Sequence, residues 1–292
     1  PRSTLFPYTT LFRSQIPFEG GTGSESDPYQ IKTAEQLNYI RYFHESNFIQ
    51  MADIDLSAYL SESGAGWNDG AGWEPIGKWN DSTTGFAGSY NGNNKTITGL
   101  YINRPTSDYQ GLFGRTRLSS NKTKLEKIRL IDVNISGKDY IGGLSGVLAS
   151  SITGNEKTIE KCYVSGSVSG SSNVGGLVGS NYSIIKNSNS NALVSGNSNV
   201  GGLVGINNKT IENCYAVGLV TGTGTYVGGL VGENRGVSAT VTSSYYDSTT
   251  TGQSDTGKGV GETTANMKTQ STFTGWDFTN IWTIEKIGRA HV

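Results

Sequence analysis

Asn199-Val-Gly-Gly-Leu-Val-Gly205 is the stretch on which the fold turns, because the chain repeats it. Tyr109-Gln-Gly-Leu-Phe-Gly114, Tyr140-Ile-Gly-Gly-Leu-Ser-Gly146, Asn173-Val-Gly-Gly-Leu-Val-Gly179 and Tyr226-Val-Gly-Gly-Leu-Val-Gly232 align with it on Leu112, Leu144, Leu177, Leu203 and Leu230, at intervals of 32, 33, 26 and 27 residues. Self-similarity at such a period marks a repeat architecture. The leucine never changes, whereas the next position holds Phe113, Ser145, Val178, Val204 and Val231. The leucine column is therefore expected to point inward and its neighbour to be freer. Val200 and Leu203 are three apart, and a strand of period two cannot face both the same way. Gly201-Gly202 are expected to break the strand at a corner.

A second strand lies between the corners, clearest in Ile131-Asp-Val-Asn-Ile-Ser136, where apolar and polar residues alternate. Ile131, Val133 and Ile135 are expected to face in. Sliding by the repeat brings Val164, Gly166 and Val168 into register with them, then Ser190, Ala192 and Val194, then Ala216, Gly218 and Val220. Asp132, Asn134, Tyr163, Asn189 and Tyr215 are expected to face solvent. A unit of 26–33 residues with short strands and Gly/Asn/Ser turns cannot bury its own apolar face, so neighbouring units must stack. The expected fold is all-β, a right-handed parallel β-helix in which each repeat is one coil. A propeller would need blades of about 40–50 residues, and sandwich strands would not repeat their own sequence.

Residues 15–104 read as a small N-terminal cap and lead-in to the coils, 105–236 as the coils, and 237–286 as a C-terminal segment that packs on the solenoid or leaves it. Thr33-Ala-Glu-Gln36 has capping-box spacing and opens the one good helical stretch, 34–43. Phe48 to Leu56 reads as a strand, followed by a loop with Trp67, Trp73 and Trp79. Residues 1–14, PRSTLFPYTTLFRS, resemble the translated forward adapter of short-read DNA sequencing, and 287–292 the start of its reverse partner. Both ends are expected to contribute nothing to the fold.

Glycine makes up 41 of 292 residues and charged residues only 16%, against about 7% and about 25% in ordinary globular chains. That mixture disfavours a helical bundle. With 23 basic against 24 acidic residues, there is no long-range field to hold a phosphate backbone, so nucleic acid is not an expected partner. Two histidines and two distant cysteines leave no ligand set for structural zinc or a His-dependent metalloprotease.

At these residues the chain resembles the GLUG-repeat family of bacterial surface and secreted proteins, through the Gly-Leu-x-Gly core seen in Gly202-Leu203-Val204-Gly205. Gly20 to Ile31, Trp73-Glu-Pro-Ile-Gly77 and Thr269 to Asp277 resemble the flanks of such modules, so the likeness covers almost all of 15–286. The resemblance implies an exported, extracellular or cell-surface β-helix. The family occurs in adhesins and upstream of the catalytic region of IgA-specific zinc metallopeptidases, whose His-Glu-x-x-His helix this chain lacks. Host or environmental glycans or proteins are the implied partners. A monomer without direct membrane insertion and without a cofactor is expected.

No residue is assigned a catalytic role. Cys162 and Cys214 are two repeats apart, with Ser188 between them in register. Two rungs are about 9.6 Å, beyond the roughly 4.4–6.8 Å Cα separation of a disulfide. Buried free thiols are the favoured reading, a bridge or metal pair the other. Glu160 and Glu212 bracket Lys186 in the same way, and that cation would sit where an inverting glycosidase needs its water. A salt-bridge ladder is expected there. Asp53 and Asp55 are candidate calcium ligands, although a hard cation wants six to eight oxygens. Trp67 and Trp79 are candidate sugar-stacking residues, with packing as the competing role. Trp73 and His44 read as structural or cap residues. Three functions follow: an adhesive or structural segment, an arm of a secreted peptidase, or a glycan-cleaving β-helix enzyme.

Overall fold

In the computed structural model, which describes residues 17–77, 85–117, 123–149 and 157–284, the chain winds through four sheets whose strand pairs are parallel. Both adapter-like ends lie outside the described residues. Sheet 1 has eight strands, from Tyr29–Ile31 to Thr240–Thr242, and sheet 2 has ten, among them Arg129–Ser136, Tyr163–Ser169 and Asn189–Gly196. Sheet 3 has four, Asp139–Gly142, Ser172–Gly175, Ser198–Gly201 and Val227–Gly228. Sheet 4 has five, from Phe113–Arg115 to Val231–Asn234. From Lys124 to Asn234 each coil visits sheets 1, 2, 3 and 4 in turn, and neighbouring coils pair strand to strand. The chain is a parallel β-solenoid, as the repeat spacing predicts.

The corner between sheets 1 and 2 is a column of left-handed residues, Lys127, Lys161, Asn187, Asn213 and Ser243, with φ from 42° to 55°. Asparagine tolerates that conformation because its short amide bonds locally. The corner between sheets 3 and 4 is the repeated motif itself. Val200 and Gly201 end one strand, Gly202 and Leu203 turn, and Val204 begins the next. All five motif leucines are fully buried.

The position after the leucine is not freer: Phe113, Ser145, Val178, Val204 and Val231 are buried as deeply. The leucine sits in the corner rather than in the strand, so alternation starts afresh after it and two consecutive side chains enter the core. The residue that faces the other way is the closing glycine. A Cβ on Gly179 would lie 2.6 Å from Gly146 O and 2.6 Å from Ile141 N, because sheets 3 and 4 meet there backbone to backbone.

The inward column of sheet 2 also departs from strict alternation. Val164 pairs with Leu130 and Gly166 with Val133, with a register shift between them. Asp132, at φ 54°, inserts one residue, so Leu130 is fully buried and Ile131 only half-buried. The later coils keep the expected register, Val164–Ser190, Gly166–Ala192 and Val168–Val194. Asp132 and Asn134 are exposed as expected, but Tyr163, Asn189 and Tyr215 are buried. Further along the same face Met267, Phe273, Trp276 and Trp282 form a second apolar cluster over Tyr215 and Tyr245. Trp276 and Trp282 ring centroids are 4.2 Å apart, and Trp276 Nε1 donates to Ser243 O at 2.7 Å.

Helix α1, Ala34–Tyr39, carries the expected capping box between Thr33 and Gln36 and ends in a 3-10 turn, Ile40–Tyr42. Leu37 and Ile40 project into the main core. Phe48 to Leu56 is not one strand. Asn47–Gln50 belongs to sheet 1 and Ile54–Asp55 to sheet 2, with a corner between them. A second buried ladder closes sheet 4. Asn181 Nδ2 donates to Asn207 Oδ1 at 2.7 Å, and Asn207 Nδ2 to Asn234 Oδ1 at 2.8 Å.

Candidate functional site

The two cysteines stand two rungs apart in the core with unpaired, buried thiols. Their column continues in serines: Cys162 N donates to Ser188 Oγ at 3.1 Å, and Cys214 N to Ser244 Oγ at 3.0 Å. Burial pushes both thiols up to about 12, so neither is a nucleophile at neutral pH. In sheet 1 Lys186 lies between Glu160 and Glu212, and its Nζ is 3.5 Å from Glu160 Oε2. The column carries a cation at its centre, as read from the sequence.

Thr96 N donates to Asp53 Oδ1 and Ser57 N to Asp55 Oδ1, each at 2.8 Å. The backbone bond from Thr96 lowers the Asp53 carboxyl, and bonds from the Ser57 side chain and backbone lower Asp55. Each carboxylate thus ties down a different turn of backbone. Among the described residues no three of His, Cys, Asp and Glu cluster as a metal would require. Trp79 lies outside the described residues, and Trp67 is half-buried. Trp73 is fully buried, and its Nε1 donates to Leu112 O at 3.2 Å, fastening the cap loop to the first motif leucine. His44 is half-buried, and its carbonyl accepts from Ala87 and Gly88.

Among the described residues a concave constellation lies in the cap, between the C-terminal end of α1 and the loop that follows Tyr59. It is an open cleft of about 100 Å³ lined by Asn38, Arg41, Tyr42, Tyr59, Asn68 and Glu74, with Trp73 at its base. Arg41 organises it. Its Nη1 is 3.2 Å from Glu74 Oε2, its Nη2 donates to Asn38 Oδ1 at 2.6 Å and to Glu74 O at 2.8 Å, and its guanidinium lies 5.6 Å from the Trp73 ring centre. Burial lowers the Arg41 pKa and raises that of the Tyr59 phenol, which stays protonated. Tyr42 forms the rim, 68% exposed. Asn68 (φ 49°), in the far wall, begins a run of left-handed residues that continues behind the cleft with Asp69 (52°), Gly70 (84°) and Gly72 (67°). The cleft takes in Gly66 and Asn68, the residues on either side of Trp67, but not Trp67 itself. Sequence reasoning missed it because its walls come from segments up to 36 positions apart. Asn68-Asp-Gly-Ala-Gly72 was the one local signal of unusual backbone.

No helix among the described residues is long and apolar enough to cross a membrane. Stacked coils and buried side-chain ladders define a parallel β-solenoid repeat protein. A family model of the GLUG motif matches residues 196–221, the coil that contains Leu203. The chain carries GLUG repeats.

Halomucin of Haloquadratum walsbyi is 35% identical over 162 residues, 54% of this chain and 2% of that protein. A protein of Evansella cellulosilytica assigned as a Gly-rich membrane protein is 32% identical over 400 aligned residues, 94% of this chain and 45% of that one. The chain therefore spans less than half the length of these relatives. A solved structure from Bacteroides ovatus, of a protein assigned as an immunoglobulin A1 protease, matches with a TM-score of 0.69 over 91% of this chain and 92% of that one. Its identity is 24%, and the likeness is one of fold.

Proposed function

We propose that this chain is a non-catalytic structural and adhesive segment of an exported cell-surface protein. The observation that carries the reading is the way the solenoid uses its chemistry: Lys186 pairs with Glu160, the thiols are buried, and Asn181, Asn207 and Asn234 bond to one another. Groups that could do acid–base or nucleophilic work are spent on holding coils together. The names of the halomucin and of the Gly-rich membrane protein support a surface location. The alternative, an arm of a secreted peptidase, draws on the fold shared with the Bacteroides ovatus protein. A His-Glu-x-x-His motif in the same full-length gene would favour that alternative.

Two assays test the proposal. The purified chain and its Glu160→Gln, Glu212→Gln double variant are incubated with acidic and neutral polysaccharides. No product is expected, and product that disappears in the folded variant would overturn the non-catalytic part. Beads coated with the chain are then passed over immobilised mucin. Retention above albumin-coated beads is expected, and its absence would overturn the adhesive part.

A further inference from the structure

We propose that the cap cleft is a binding site for one uncharged sugar ring of a glycan. This deepens the adhesive reading and rests on it for its biological meaning, although the cleft's chemistry stands on its own residues. The cleft is small, about 100 Å³, below the roughly 300–1,000 Å³ of pockets that enclose a drug-sized ligand. It can seat the polar edge of a single ring, the rest of which stays in solvent, and not a folded peptide element.

The polar groups are of the right kind and are held in place in advance. Asn38 Oδ1 is occupied by Arg41 Nε at 3.0 Å and Nη2 at 2.6 Å, which leaves the Asn38 Nδ2 hydrogens as donors. Asn68 Nδ2 is given to Gly66 O at 3.3 Å and Gly72 O at 2.7 Å, which leaves Asn68 Oδ1 as an acceptor. A sugar diol both donates and accepts, so it can meet the two amides together. Because each amide is already oriented by the protein, little side-chain freedom is lost on binding. The Tyr42 and Tyr59 hydroxyls add groups that can donate or accept. Tyr42, with most of its ring in solvent, supplies a flat apolar surface for the C–H face of a ring.

Charge selects against ionised ligands. Arg41 is paired with Glu74 and largely buried, its side chain 13% exposed, so the cleft offers an anion no unspent cation. Asn68, the lining residue that presents the acceptor, is a non-glycine residue in the left-handed region, at φ 49°. Backbone of that kind persists where its surroundings over-determine it and clusters at ligand clamps.

The test titrates the full chain with the methyl glycosides of glucose, galactose and N-acetylglucosamine, with methyl glucuronate and N-acetylneuraminate as charged controls. Saturation-transfer NMR reads binding and tyrosine fluorescence reads affinity. At least one neutral glycoside is expected to bind, in the millimolar range, and the charged sugars at least about tenfold more weakly. Tyr42→Ala removes the exposed platform. Asn68→Gly removes the acceptor while keeping a residue that accepts positive φ. Each should weaken binding about tenfold or more, Tyr42→Ala without shifting the melting temperature, and Tyr182→Ala, on the solenoid flank, should leave binding unchanged.

Binding of no neutral glycoside, preference for the charged sugars, or full binding by both cleft variants would overturn the proposal. If bead adhesion to mucin persists while the neutral glycosides fail, the cleft assignment falls and the adhesive reading stands. Glycoside binding that is lost in both variants, beside beads that never adhere, supports the cleft and removes the adhesive reading.

Discussion

Leu203 has coils stacked on both sides and no solvent contact. Its side chain fills a space that neither Gly202 nor Val204 can reach across the corner. Leu203→Ala should therefore cost about 2–5 kcal/mol in urea unfolding, the usual range for a leucine whose cavity cannot collapse. A loss under about 1 kcal/mol would mean that the corner relaxes. Cys162 and Cys214 bear on pH rather than on packing volume. Their thiols are held up at about 12 in the folded chain against about 9 when free, so the folded chain keeps protons that the unfolded chain has shed between those values. Their contribution to stability is complete below about pH 9 and is lost as pH rises toward about 12. Lys157 works in the opposite sense at lower pH: burial pulls it down to about 8, so stability grows as pH rises from about 8 toward its ordinary value. A comparison with Cys162→Ser, Cys214→Ser isolates the thiols, and Ser188 and Ser244 show that serine fits this column. Relative to the variant, the wild type should lose stability between about pH 9 and about pH 11. Parallel pH curves would contradict the assignment.

At the scale of the element, the ladders are what make one coil register with the next. Asn207 sits in the middle of its ladder and meets both neighbouring coils. Its Oδ1 accepts from Asn181, and its Nδ2 donates to Asn234 Oδ1, Lys209 O and Thr240 O. Asn207→Ala leaves buried partners on both sides unmatched and should cost about 2–4 kcal/mol, since each orphaned buried group costs roughly 1–3. Asn234, part-exposed at the end of the same ladder, should cost less when changed to Ala. Equal losses at the two positions, measured by urea unfolding, would show that the ladder is not cooperative. This ladder was not legible in the sequence. Asn181, Asn207 and Asn234 recur at the repeat spacing, but Leu148 holds the equivalent place one coil earlier and hides the column.

On the scale of the whole molecule, the segment beyond the last coil covers the outer face of sheet 2. Trp276 contacts Tyr215, Tyr245, Phe273 and Trp282 and bonds to Ser243. Trp276→Ala should cost about 3 kcal/mol, the low end for removing a buried Trp. It should also make 263–284 the first site of limited proteolysis while the coils stay protected. Protection equal to wild type would show that the segment is held elsewhere. The same covering explains why Tyr215 is buried where alternation alone placed it in solvent, and Asn189 beside it donates to the Tyr215 hydroxyl.

The repeat interval, the leucine column and the glycines determined by themselves that this chain is a stacked parallel solenoid, because a unit of 26–33 residues has no other way to bury its apolar side. The capping box at Thr33 and the free thiols two rungs apart were legible for the same reason: each depends on spacing along one chain. Tertiary structure alone decided the rest. The bulge at Asp132 depends on a left-handed backbone that spacing does not reveal, and the burial of Tyr215 depends on residues about fifty to seventy positions downstream. The cap cleft depends on Asn38, Tyr59, Asn68 and Glu74 converging around Arg41. No period relates those residues, since a cleft is made by the meeting of unlike segments and a solenoid by the stacking of like ones.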